Sequence, residues 1–299
     1  MLTRKLIKKM ERSDMERRIL IEARGISKEF KGYPAIRKLD FRVYEGEIFG
    51  FLGPSGAGKT TTIKILTGQL RQTSGQASIL GIPVENVRED IYKEIGIVSD
   101  MSGFYEKLTV YQNLKFFAKL LDVEPTVVDE QLKRFGLYEH RKVPAKNLSK
   151  GMKQRLVLIR AMLHQPKVLF LDEPTSGLDP NAALAVHRMM EELRAEGTSI
   201  FLTTHNMEEA DKLCDRVALL NEGKIAELDT PEKLRLKFNK QKRFVVQLKE
   251  RDTELQLEQS VETAERIGKW LATDQLETIH SCEPTLETVF LEATGRELV

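Results

Sequence analysis

Gly53, Gly58, Lys59 and Thr60 stand at the spacing G-x-x-x-x-G-K-[ST], inside the run "FLGPSGAGKTTT" of residues 51–62. Glycines at this density let a backbone curl until several N–H groups point inward at phosphate oxygens. A helix that opens directly behind the curl adds its unpaired N–H groups and the positive end of its dipole. Lys59 supplies a mobile positive charge for terminal phosphates, and Thr60 an oxygen for Mg²⁺. Gly53, Pro54, Ser55, Gly56, Ala57, Gly58, Lys59, Thr60 and Thr61 are therefore expected to hold a nucleoside polyphosphate.

The run "KVLFLDEPTSGLD" supplies acids to go with that cradle. Val168 to Leu171 reads as a buried strand, with Asp172 and Glu173 at its C-terminal end, the edge where open parallel sheets bind ligands. Asp172 is placed to hold Mg²⁺, directly or through water. Glu173 is placed to act as general base for a water attacking the γ-phosphate. A further strand, "SIFLTT", ends at His205, which has the setting to bond the γ-phosphate and hold the attacking water. Strand-end histidines are more often structural. His140, His164, His187 and His280 have no comparable setting and receive no role. In "NLSKGMKQRLVLIRAML", Ser149 reads as an N-cap and Leu156, Ile159 and Leu163 as a buried helical face. Ser149 and Gly151 would open a second anion-receptive helix start. One nucleotide does not easily use two separate helix starts from one sheet, which points to a second subunit.

These side chains need a frame. From residue 19 the chain reads as short strands, "ILIEAR", "KLDFRVY" and "EIFGFL", with "EGE" turning between the last two. "TTIKILTGQL" reads as a helix, and strands then alternate with helices to about residue 225. That rhythm implies an α/β domain on a largely parallel sheet. After "DTPEKL" the composition changes. "KRFVVQLK", "TELQLE" and "LETIHSC" read as strands. Val261, Ala264, Ile267, Trp270 and Leu271 recur at helical spacing, and Pro284 opens a last helix. Residues 235–299 are read as a small accessory α/β domain behind an ATPase-like domain at 19–234. Residues 1–18 stand apart as a basic, amphipathic extension. Such a segment can lie on an anionic membrane surface, but a frayed, solvated tail is the expected state. Met15, just before the regular pattern, is an alternative start.

Bulk properties narrow the class. The 299 residues are 41% apolar and 31% charged, with a formal charge of +2, so overall electrostatics do not announce a nucleic-acid binder. No apolar run approaches the roughly 20 residues needed to span a bilayer, and no secretory signal is expected. Cys214 and Cys282 lie far apart and are expected to be reduced and buried.

Taken in order, the motifs resemble the nucleotide-binding subunit of an ABC transporter. "GPSGAGKT" resembles the Walker A loop, "VLFLDEP" Walker B, "LSKGMKQ" the signature usually written LSGGQ, "SGLD" the D-loop and "TTH" the switch histidine. Tyr33, twenty residues before Gly53, matches the aromatic that stacks on adenine. The resemblance covers about residues 19–230. It implies a P-loop NTPase of the ABC ATPase fold: a mixed-sheet core, an antiparallel β subdomain and an α-helical subdomain at about 100–165. It further implies ATP with Mg²⁺ and a head-to-tail dimer of two copies. In each site the Walker loop of one copy meets Ser149, Lys150, Gly151 and the D-loop Asp179 of the other. Separate transmembrane permease subunits would be the partners, at the cytoplasmic face of the membrane, and nucleic acid is not expected.

Two departures accompany the resemblance. The signature's central glycine is Lys150, tolerable as added positive charge near the phosphates, and its fifth residue is Met152, which cannot donate as Gln would. At the Q-loop position, in "IGIVSDMSGFYEKLTVYQNL", stands Asp100, which could still ligate Mg²⁺. The aromatic segment "GFYEKLTVYQNLKFF" corresponds to the family's surface for the partner's coupling helix. The tail "EPTLETVFLEATGREL" resembles ATPases of drug and bacteriocin export. Export is therefore the expectation. The alternatives are an importer ATPase and a soluble ABC ATPase acting on ribosomes or DNA. The latter commonly carries two cassettes or a long insertion, and this chain has neither.

Overall fold

The computed structural model describes residues 17–99, 103–240, 242–249 and 254–295. The expectations for the basic extension up to residue 16 and for Asp100 lie outside these residues. The chain divides into two units, at 228/229.

The first unit holds two sheets. One is four-stranded, in the order β2-β1-β4-β5, from β1 (Ile19–Phe30), β2 (Tyr33–Tyr44), β4 (Ser74–Ile79) and β5 (Ile82–Pro83), all paired antiparallel. β1 and β2 run longer than the sequence suggests, 12 residues each, because bulges let pairing continue past local breaks. The register shifts between Ala23 and Ile26, where Gly25 takes φ 59° and donates its N–H to Asp40 Oδ1 at 2.7 Å.

The other sheet is six-stranded, in the order β10-β9-β3-β8-β7-β6. Its strands are β3 (Ile48–Leu52), β6 (Ile95–Val98), β7 (Val168–Asp172), β8 (Ser199–Thr204), β9 (Arg216–Asn221) and β10 (Lys224–Asp229). The contacts β9-β3-β8-β7-β6 are parallel. β3, β7 and β8 are buried along their whole lengths, which explains runs such as IFGFL and VLFLD: a strand covered on both faces has no polar face to alternate with. Phe41 of β2 packs against Phe49, Phe51 and Phe201 with centroids 5.7, 5.4 and 6.0 Å away, so one aromatic cluster joins the two sheets.

Register then sets the site. Leu52 pairs with Thr204, and Asp172 with Thr203, so β3, β7 and β8 end together at one sheet edge. Helix α1 (Lys59–Leu66) follows β3 and stops earlier than expected. Thr67 is its C-cap and Gly68 takes φ 72°. After the short α2 (Glu89–Tyr92) come α3 (Val110–Leu120), α4 (Pro125–Arg134) and α5 (Lys150–Met162). Thr109 and Gln112 form a capping box on α3. α6 (Pro180–Ala195) precedes β8, and α7 (Met207–Leu213) follows it.

The second unit has α8 (Pro231–Phe238), β11 (Arg243–Leu248), β12 (Leu255–Glu258), α9 (Val261–Ala272), β13 (Leu276–Cys282) and α10 (Leu286–Thr294). Its sheet, β12-β11-β13, is antiparallel, and α8 packs on α10. The last helix opens at Leu286, capped by Thr285, rather than at Pro284. The apolar stripe of α9 is only partly covered: Val261 is 78% exposed. Both cysteines are free. Cys214 is buried as expected, whereas Cys282, at the end of β13, is only half-buried.

Candidate active site

The loop between β3 and α1 curls through two left-handed glycines, Gly56 (φ 78°) and Gly58 (φ 106°). A side chain at Gly58 would also approach the Ala35 carbonyl to 2.9 Å, and one at Gly53 would run into the Leu220 carbonyl. Space and dihedral angle therefore both demand the glycines that the sequence places there. The cavity beside the loop has a volume of about 350 Å³. Ser55, Gly56, Gly58, Lys59, Thr60 and Thr61 line it, opposite Glu173 and His205. Gly53, Pro54 and Ala57 belong to the same loop but do not line the cavity.

Lys59 is buried to 7% exposure and has its ammonium fully engaged. It donates to the carbonyls of Gly53 (2.6 Å) and Pro54 (3.2 Å) and lies 3.0 Å from Glu173 Oε1. The other Glu173 oxygen, Oε2, is 2.6 Å from His205 Nδ1. The backbone of Glu173 is left-handed at φ 51°, a conformation costly for this residue type. It is pinned by its N–H, which reaches both the Thr203 carbonyl (3.0 Å) and the Thr203 hydroxyl (3.2 Å). Asp172, also buried, accepts from Thr60 Oγ1 at 2.6 Å and from the Thr203 hydroxyl. The structure thus brings Lys59, Thr60, Asp172, Glu173 and His205 together. It adds Thr203, Ala35 and Ser176, which sequence reasoning missed; only the doubled threonine before His205 hinted at Thr203.

The remaining candidates sit elsewhere. Tyr33, 81% exposed, does not line the cavity. Ser149 caps α5, accepting from the Met152 N–H at 3.2 Å, and Asp179 caps α6, accepting from the Ala182 N–H at 3.0 Å. The two helix starts touch: a side chain on Gly151 would lie 2.6 Å from Ala182 Cβ. Lys150 Nζ donates to the carbonyl of Gly177, in the turn before Asp179, at 2.9 Å. None of Ser149, Lys150, Gly151 or Asp179 lines the cavity of its own chain. His187, given no role above, lies 2.8 Å from the buried carboxylate of Glu209, and Thr175 donates to the same oxygen. Burial pushes the Glu209 pKa up, but hydrogen bonds led by that from His187, with Thr175, hold it below its ordinary value.

Residues 36–176 match the family model for ABC transporters. Over 291 residues the chain is 40% identical to a fluoroquinolones export ATP-binding protein of Mycobacterium tuberculosis, covering 93% of this chain and 94% of that protein. This protein belongs to the ABC transporter ATP-binding family. Its membership extends the likeness to the bacitracin transport ATP-binding protein BcrA of Bacillus licheniformis, 38% identical over 70% of this chain and 69% of BcrA. A solved ATP-binding subunit of an ABC transporter superposes with a TM-score of 0.67 at 29% identity, covering 73% of this chain and 93% of the other. The two-sheet unit is accordingly the ABC ATPase fold, and the chain is an ATPase of that family. Among the described residues no helix is long and apolar enough to cross a membrane.

Proposed function

We propose that this chain is the ATP-hydrolysing subunit of an exporter, acting as a pair of copies beneath separate membrane permease subunits. The observation that carries the reading is Glu173 held between Lys59 and His205 at the mouth of the loop cavity.

Chemistry follows from that placement. The curled loop and the α1 start receive the phosphates, and Lys59 pairs with the terminal ones. All three ammonium donors of Lys59 already have partners, so a phosphate that draws Lys59 away releases Oε1 of Glu173. The freed carboxylate takes the proton from the attacking water, and the products are ADP and inorganic phosphate. His205 orients Glu173 through Nδ1 and has its second ring nitrogen for the γ-phosphate. Tyr33 presents an exposed ring to stack on adenine.

Thr60 and Asp172 fit Mg²⁺: two oxygen donors 2.6 Å apart suit a hard cation. Among the described residues no three His, Cys, Asp or Glu gather to hold a metal, so phosphate and water oxygens would complete its shell. When bound there, Mg²⁺ would neutralise phosphate charge. Asp100 is proposed as an additional oxygen donor.

The paired copy is proposed because Ser149, Lys150 and Asp179 are exposed at two helix starts that meet at the buried Gly151, and none of the four lines its own chain's cavity. Set against the loop of a second copy, two helix starts would close over the terminal phosphate. The aromatic group of Tyr105, Phe116 and Phe117, stacked edge to face at 5.3 Å and partly exposed, is proposed as the permease-facing surface. The named cargoes of the relatives, fluoroquinolones and bacitracin, support outward transport of antimicrobial compounds. The test is twofold. Glu173→Gln should bind ATP, accumulate as a dimer and scarcely hydrolyse; a monomer with near wild-type turnover overturns the assignment. Detergent-solubilised membranes should yield a polytopic partner; ribosomal proteins or DNA in its place overturn the transport reading.

A further inference from the structure

Glu209 stands three residues after Asn206, the N-cap of α7, where a glutamate ordinarily reaches back to the cap's own N–H. Here it does not. Asn206 accepts from the Glu209 N–H at 3.0 Å but gives its own N–H to Thr204 Oγ1, also at 3.0 Å. The Glu209 carboxylate turns inward instead, to 2% exposure, where Oε1 receives the Thr175 hydroxyl and His187 Nε2, each at 2.8 Å. Burying a carboxylate is costly unless its partners are well placed, so the location of those partners matters. Thr175 lies two residues beyond Glu173. Glu209 itself sits in the first turn of the helix that follows His205. His187 is on α6, whose cap is Asp179.

We propose that Glu209 is a positioning residue for hydrolysis: with Thr175 and His187 it fixes the segments carrying Glu173, His205 and Asp179 relative to one another, and so holds the 2.6 Å contact between Glu173 and His205. Glu209 touches no substrate and lines no part of the cavity. Its effect is on the geometry of the proton transfer, and nucleotide affinity, set by the loop, is independent of it. This rests on the ATPase assignment above.

The experiment measures kcat and KM for MgATP, with direct ATP titration and thermal unfolding, on full-length wild type, Glu173→Gln, Glu209→Gln, Glu209→Ala and Thr175→Val. The expected result is a kcat lowered about tenfold in Glu209→Gln and about a hundredfold in Glu209→Ala, with KM and ATP affinity within about twofold of wild type. Thr175→Val, which deletes a single bond, should lower kcat about threefold and serves as the deciding variant if the Glu209 variants do not fold. Folded variants with wild-type kcat, or with ATP affinity lost in step with kcat, overturn the inference. A wild-type chain that hydrolyses nothing overturns the ATPase assignment instead. Hydrolysis abolished by Glu173→Gln but untouched at Glu209 and Thr175 overturns the positioning role alone.

Discussion

The ammonium of Lys59 and the carboxylate of Glu173 lie 3.0 Å apart, one on the phosphate loop and the other just past the end of β7. The proposed base is therefore paired with the cation that phosphate must recruit. Removing the carboxylate's charge should separate binding from turnover. Glu173→Gln is expected to retain ATP affinity while kcat falls about 10²- to 10⁴-fold, the usual worth of a general base, measured by phosphate release alongside nucleotide titration.

Lys59→Ala acts on the other partner. Losing a charge-assisted contact to phosphate should weaken ATP binding by about 2–3 kcal/mol, read by calorimetry. Thermal unfolding of the same variant separates lost affinity from lost fold, since the carbonyls of Gly53 and Pro54 also lose this donor.

Gly151→Ala tests the junction of the two helix starts. Alanine raises helix propensity by up to about 1 kcal/mol, but its Cβ would meet that of Ala182 at 2.6 Å. Overpacking of this kind costs roughly 1–3 kcal/mol, so net destabilisation by denaturant titration is expected. ATPase activity should fall further than stability, since α5 and α6 are pushed apart at the surface proposed to meet the second copy.

For Asp100, the paired variants Asp100→Asn and Asp100→Gln should alter turnover and its Mg²⁺ dependence. Wild-type values in both would remove it from the proposed ligand set.

Glu209 also predicts a pH dependence of stability. Its folded pKa is depressed below the ordinary 4.5. The stability it contributes is fully present above that value and is lost as pH falls below it, through the folded pKa. Glu209→Gln should flatten this acid limb, seen in unfolding midpoints collected below about pH 4.5.

Much of this site was legible in the sequence because its motifs are local. Gly58, Lys59 and Thr60 are neighbours, and their backbone turn is dictated by glycine dihedrals. Asp172 and Glu173 end a strand whose unbroken apolar run announces burial on both faces. The parallel sheet followed from the rhythm of strands and helices. Contacts made by distant side chains were not legible. Nothing near His187 in sequence marks Glu209 as its partner, 22 residues away. Nor does any spacing rule announce the bond from Lys150 to the Gly177 carbonyl. The length of β1 and β2 was hidden by bulges, whose glycine reads as a strand's end when it is a kink within it. Cys282 was misjudged because β13, in the small second unit, is sparsely covered.

The two thiols have a practical corollary. Cys214 Sγ occupies the space that a side chain on Gly50 would need, 2.7 Å from that Cβ position. Burial first, and then the negative charges of Glu209, Asp215 and Glu47, push its thiol well above the ordinary range. A maleimide dye applied to the native chain should ignore it and attach at the more accessible Cys282. The molecule comes supplied with one addressable handle on its C-terminal unit, where a fluorophore can follow that unit through the ATP cycle without any engineered cysteine.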